Sequence, residues 1–305
     1  MQKNVIIALL ALIFSSASLA QQIQDTTYEP NISSSAYPFG KGSSVKIDEA
    51  HYNFHTASNR YLAFAKVLRK DGYEVSANKE AFSEESINKA KILVIANAIH
   101  PSDTTEWVVP NPSAFTPKEI IAVKNWVEKG GSLLLIADHQ PFPGAASELG
   151  KAFGFTFYNG FATDTTTGKD PNKKKELDTF TKKAGSLKEH QITNKIDHIV
   201  TFTGQAFKIP SQAKSLLTFD DKYIVLLPDT AWKFSPKTPR ISAKGLSQGA
   251  VLSVGKGRVA VFGEAAQFTA QLKGKDKKGF GLNAPEADQN LAFLLNIIHW
   301  LDKKE

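Results

Sequence analysis

Two short apolar runs with a well-marked helix between them constrain this chain more than any other feature. Ile92-Leu93-Val94-Ile95-Ala96 is apolar throughout, and Ser132-Leu133-Leu134-Leu135-Ile136-Ala137 repeats the pattern. Runs this short and without alternation read as strands buried on both faces. Between them, Thr116 is placed to N-cap a helix and Pro117 takes its first position, where a missing N–H costs nothing. Glu119 closes a capping box, and Gly130-Gly131 ends the helix. Ile120, Val123 and Val127, with Trp126 beside them, form its inward stripe. The order strand, helix, strand predicts an α/β fold with a doubly wound, mostly parallel sheet.

The flanking segments extend that expectation. Residues 45–50 and 73–75 read as strands, separated by a helix over 58–71 that stops at Gly72. Another helix is expected near 145–153. Residues 158–187 break the rhythm, and the Thr-, Lys- and Gly-rich stretch 163–175 is expected to be a loop or lid over one end of the sheet. Short strands over 199–202, 215–219, 223–227 and 251–254 predict an antiparallel extension in the C-terminal half. A strand over 258–263 and a closing amphipathic helix over 286–301 complete the chain. No repeat or linker divides it, so residues 45–305 are expected to form a single domain, preceded by an extended polar leader over 21–44.

Residues 1–20 read as a secretory signal peptide. Lys3 supplies the positive start, residues 5–14 the apolar run, and Ser18-Leu19-Ala20 small residues for cleavage near Ala20. The run is too short to span a bilayer, so no stable membrane anchor is expected, and the location implied is periplasmic or secreted. The chain contains no cysteine, which excludes disulfides, thiolate ligands and a thiol nucleophile. Its net charge of +7 resides largely in lysine runs at 173–175, 182–183 and 273–278. These lack interleaved aromatics, so solvated loops are expected and nucleic acid is not. Gly255-Lys256-Gly257 precedes a strand, whereas a phosphate-binding loop follows one, so no nucleotide cofactor is expected.

Four of the seven histidines fall just after predicted strands, three of them beside carboxylates. In an open α/β sheet, the carboxyl ends of the strands line the crevice where ligands bind. Asp48, His51, His55 and His139 are the candidate ligands of one divalent metal ion such as zinc, since imidazole and carboxylate suit that ion. If residues 51–55 begin a helix, both histidines share a face. Glu49, Asp138 and Glu264 are the candidate catalytic carboxylates, one of them serving as base to a metal-bound water. Asn53, Arg60 and Gln140 are candidates for contacting substrate. Each of these residues also has a structural use: aspartate at a strand end caps the next turn, and histidines there bond loop backbone. No Gly-x-Ser-x-Gly elbow lies at a strand end, which argues against a serine hydrolase.

Four motifs carry a family resemblance: Ile47-Asp48-Glu49-Ala50-His51-Tyr52-Asn53-Phe54-His55-Thr56, Ile136-Ala137-Asp138-His139-Gln140-Pro141, Gly263-Glu264-Ala265-Ala266-Gln267-Phe268, and Leu282-Asn283-Ala284-Pro285 leading into His299-Trp300-Leu301. Together they resemble a bacterial branch of the class I glutamine amidotransferase-like superfamily described mainly as a domain of unknown function. The resemblance implies a flavodoxin-like sheet whose carboxyl edge holds the site. Amidotransferases of that class use a cysteine on a strand-to-helix turn, and here the corresponding turn carries Asp138-His139. Glutaminase chemistry by that route is excluded.

Two functions remain open on the sequence. One is an exported hydrolase, metal-assisted, acting on a small polar or carbohydrate-like substrate. The other is a non-catalytic module that binds a ligand or a protein partner. The exposed-looking aromatics Tyr52, Phe54, Trp107 and Phe142 near the expected crevice serve either.

Overall fold

The computed structural model describes residues 22–167 and 177–304. Part of the expected lid, 168–175, and all of the expected signal peptide lie outside the described residues. Nine strands form the central sheet: β1 (Ser44–Asp48), β2 (Glu74–Asn78), β3 (Ile92–Ala96), β4 (Ser132–Ile136), β5 (Thr156–Phe157), β6 (Phe207–Lys208), β7 (Lys214–Thr218), β8 (Ser247–Val254) and β9 (Gly257–Phe262). Their order is β2-β1-β3-β4-β9-β8-β6-β5, with β7 also pairing β8. Among the described residues, five α-helices accompany them: α1 (Leu62–Lys70), α2 (Glu84–Ile87), α3 (Pro117–Glu128), α4 (Phe142–Ala152) and α5 (Asn290–Asp302).

The expected doubly wound, mostly parallel, flavodoxin-like sheet is incorrect. Only the pairs β1/β2, β1/β3, β3/β4 and β4/β9 are parallel. Every other strand pair in the central sheet is antiparallel. The three smaller sheets are antiparallel throughout. The expected antiparallel strands of the C-terminal half do extend the sheet, over 214–218 and 247–254, but antiparallel pairing is not confined to them. Gln22–Gln24, inside the expected leader, pairs with Ala270–Lys273, and Phe161–Asp164 pairs with Tyr223–Leu226. The apolar runs predicted strands correctly, but buried strands of this composition do not report the direction of neighbours contributed by distant residues.

Side chains alternate across β3, β4 and β9, so each strand feeds two cores. Val94, Leu134 and Phe262 face α1 and α5, whereas Leu93, Leu133 and Val261 face α3 and α4. The α3 capping box is built as its sequence implies: Thr116 Oγ1 accepts from the Glu119 backbone N–H, and the Thr116 N–H donates to Glu119 Oε2 at 2.9 Å. No helix among the described residues is long and apolar enough to cross a membrane.

Because β1, β3, β4 and β9 are mutually parallel, their carboxyl ends share one edge of the sheet. Asp48 ends β1, Asn97 follows β3, Asp138 and His139 follow β4, and Glu264 follows β9. That edge holds the candidate site.

Candidate functional site

Thirteen residues separate the end of β1 from α1, and their path decides which side chains meet. Residues 51–55 do not begin a helix, since the first helical residue is Leu62, inside the expected 58–71, so the condition under which His51 and His55 share a helix face is not met. Tyr52 adopts φ +48, which turns the chain in a conformation that L-residues enter at a cost. The Phe54 backbone N–H then donates to the Asn97 carbonyl at 2.9 Å. As a result, His51 and His55 occupy different surroundings.

His51 is buried against Phe82 and Phe115. Its Nδ1 lies 2.8 Å from Asp48 Oδ2, and its Nε2 lies 2.8 Å from Glu119 Oε1. A carboxylate can only accept, so both ring nitrogens donate together only in the imidazolium. Burial opposes that charge. The hydrogen bond and charge of Asp48, then those of Glu119, overcome it and raise the His51 pKa. Burial also works to raise the Glu119 pKa, but His51, Thr116 and the Phe82 backbone hold it below the usual glutamate value. Asp48 also accepts from Asn78 Nδ2 and the Ala50 N–H, and the Asn53 amide oxygen accepts from the His51 N–H. This cluster ties the end of β1 to the start of α3.

His55 borders a pocket of about 100 Å³ that also takes Arg60, Asn97, Asp138, His139 and Thr203 into its wall. The Asn97 amide is oriented by its oxygen, which accepts from the Asp138 backbone N–H at 2.9 Å. Its Nδ2 therefore faces His55 Nδ1, at 3.2 Å, and donates to it. The His55 proton is left on Nε2. Burial first, then the charges of Arg60 and His139, push the His55 pKa down to about 3. His55 is thus a neutral ring with one outward N–H.

His139 has the complementary tautomer. Its Nδ1 lies 2.7 Å from the Gln140 carbonyl oxygen and must carry a proton, so that in the neutral ring Nε2 is the basic nitrogen. The ring stacks on Phe161 at 4.8 Å and meets Trp232 edge-on at 4.5 Å. Asp138 Oδ1 accepts from the His139 N–H and Thr203 Oγ1, and Oδ2 accepts from the Ala265 N–H. Arg60 donates to Gln271 Oε1 at 3.0 Å and lies over the Phe54 ring, 4.3 Å from its centroid.

The sequence candidates therefore divide. His55, Arg60, Asp138 and His139 line one pocket, while Asp48 and His51 belong to the buried ionic cluster. Glu49 does not line the pocket, and its Oε1 accepts from the Ala57 N–H. Glu264 is fully buried, and its two oxygens accept from the Ala266 and Gln267 N–H groups, so it shapes the turn after β9. Asn53 braces His51, and Gln140 contributes its carbonyl to His139 rather than its amide to the pocket. The four proposed metal ligands do not form one donor set. Both His51 nitrogens are engaged by carboxylates, and no cluster of three or more metal-capable side chains occurs among the described residues.

Sequence reasoning passed over Asn97, Thr203, Trp232 and Gln271. Asn97 carries a readable signal: an asparagine directly after a buried strand is suited to the left-handed backbone it adopts, φ +51. Phe142, expected to be exposed, is buried beneath Trp107 and Phe54.

The chain belongs to the family described as "Domain of unknown function (DUF4350)", which matches residues 53–271. That match spans His55, Arg60, Asn97, Asp138 and His139 and begins after Asp48 and His51. It carries no link to the glutamine amidotransferase-like superfamily. No curated protein matches the chain at a significant level. Among solved structures, the mmIFT52 N-terminal domain is similar at 14% identity and TM-score 0.60, over 85% of this chain and 97% of that one. A thua-like protein from Bacteroides uniformis is similar at 15% identity and TM-score 0.50, over 90% of this chain and 95% of that one. At such identities the likeness concerns fold alone.

Proposed function

We propose that this member of the DUF4350 family is an exported hydrolase that cleaves a carbonyl-centred bond in a small polar substrate. The observation that carries this reading is the Asn97 amide, which fixes His55 as a neutral donor on the same pocket where His139 is fixed with a basic Nε2. A neutral donor beside a base suits general acid–base chemistry. His139 Nε2 takes a proton from water, and the resulting hydroxide bonds to the substrate carbonyl carbon. The carbonyl electron pair moves onto oxygen, which receives a hydrogen bond from His55 Nε2–H. Collapse of that intermediate expels the leaving group, which takes the proton back from His139.

Glycoside hydrolysis is supported less well. It ordinarily uses two carboxyl groups flanking the bond, and Asp138 is the one carboxylate lining this pocket among the described residues. Asp138 instead positions, through Thr203 and the His139 backbone. Among the described residues, the metal-capable side chains do not gather into one set of three or more, so the reading is built on the two histidines.

The test is turnover of a panel of esters, lactones and amides of small polar acids. The expected result is activity that His139→Ala reduces by about 10²–10⁴-fold. Activity unchanged in that variant would defeat the assignment. Export is tested by N-terminal sequencing of the mature protein, which is expected to begin at Gln21.

One observation favours a second reading. Aromatic rings, including Phe54, Trp107 and Trp232, make up much of the pocket wall, as suits a module that binds without turnover. Tight binding of a ligand that is never converted would support it.

A further inference from the structure

We propose that the pocket takes the carboxylated end of a small hydroxylated ring, a uronate-type sugar acid, and that Arg60 reads the carboxylate. This rests on the reading of the pocket as the working site and names its substrate class.

Arg60 is the one cationic side chain other than histidine in the pocket wall among the described residues. Its guanidinium is held in place from two sides, by the Gln271 amide oxygen and the Phe54 ring. Neither contact neutralises it, and no carboxylate lies within ion-pair distance of it among the described residues. A partly buried cation held this way is costly unless an anion arrives. A ligand carboxylate matches the planar fork of donors and supplies the missing charge.

Asp138 defines the other end. Three hydrogen bonds to its oxygens leave room for one more among the roughly four acceptor positions of a carboxylate. A ligand hydroxyl suits that position. A phosphate or sulfate ester suits the site less well, because one guanidinium faces it, no lysine lines the wall, and the Asp138 charge shares the space.

Trp232 supplies the third element. It is 48% exposed, and its φ of +67 is a strained conformation for a bulky residue. It is braced edge-on against Phe161 at 4.7 Å. With Trp107, it offers flat apolar faces to the C–H face of a sugar ring. The volume of about 100 Å³ lies well below the several hundred that enclose a drug-sized ligand, so the pocket takes the carboxylated end of one ring and not a polymer segment.

The experiment is titration calorimetry on the full chain with galacturonate and glucuronate, against galactose and glucose, and against galactose 6-phosphate. The uronates are expected to bind about 30-fold more tightly than the neutral sugars, or better. Arg60→Gln is expected to bring uronate affinity down to the neutral-sugar level, and Trp232→Ala to weaken acid and neutral sugars by the same factor. Thermal unfolding of both variants checks that they are folded. Equal affinity for acid and neutral sugars, tighter binding of the phosphate, no binding of either uronate, or an Arg60→Gln variant that keeps wild-type preference would each overturn the proposal. Uronate binding without turnover defeats only the hydrolase reading. Turnover of neutral substrates without uronate binding defeats only this one.

Discussion

His51 and His55 stand four residues apart and are driven to opposite protonation states. His51 sits between two carboxylates, and the fold needs its charge. His55 sits beside an arginine and under an asparagine amide, and the fold forbids its charge. The difference lies in partners rather than burial, since both rings are almost entirely shielded from solvent. An imidazolium that donates to two oxygens bolts β1 to α3, whereas a neutral ring with one N–H directed away from its scaffold can serve a ligand. One histidine is structural and the other is available for chemistry.

Removing the base should produce the largest effect separating the two regions. His139→Ala is expected to lower turnover by about 10²–10⁴-fold, far out of proportion to what the lost ring contacts with Phe161 and Trp232 cost in stability. His51→Ala should do the reverse. It leaves Asp48 and Glu119 as buried, mutually repelling charges and is expected to cost about 3–5 kcal/mol in guanidinium unfolding. If His51→Ala kept its stability and lost activity instead, the two roles would have to be exchanged.

The pH dependence of stability sharpens the contrast. The folded His51 pKa is raised above 6.5, so its stabilisation is fully present below pH 6.5 and is lost as pH rises through the folded value. His55 is lowered from 6.5 to about 3. Between those values only its unfolded form is protonated, so stability falls as pH falls, by about 1.4 kcal/mol per pH unit from this group. Glu119 acts in the same direction at lower pH, because its depressed folded pKa gives stability present above 4.5 and lost as pH drops through the folded value. Stability should therefore peak near pH 6.5. His55→Gln should flatten the acid side, and His51→Ala the alkaline side, both read from unfolding curves across pH. The smallest effect belongs to Thr116→Ala, which removes the α3 cap at about 1 kcal/mol and loosens Glu119 without touching the pocket.

Much of this arrangement is legible in the sequence, though not its division into two. The apolar runs in β3 and β4 mark their strands because strands buried on both faces are filled almost wholly by apolar side chains. The α3 cap is readable because Thr116, Pro117 and Glu119 act within one turn. Glu119 also reaches His51, 68 residues away, and local spacing carries no record of that contact. The segment 51–55 invites a helical reading because its histidines are spaced i, i+4. The left-handed turn at Tyr52, followed by the bond from the Phe54 N–H to the carbonyl of Asn97 just after β3, overrides it. The antiparallel partners of the sheet come from residues 156–254, where short strands of similar composition leave pairing direction to tertiary packing.

The most direct test is imidazole ¹⁵N NMR of the full chain, titrated from pH 8 to pH 4 with His51 and His55 assigned by single substitution. At pH 6.5 more than half of His51 is expected to be doubly protonated, while His55 remains a neutral Nε2–H tautomer down to pH 4. Two rings titrating together near the ordinary histidine value, or His55 protonated at pH 5, would contradict it.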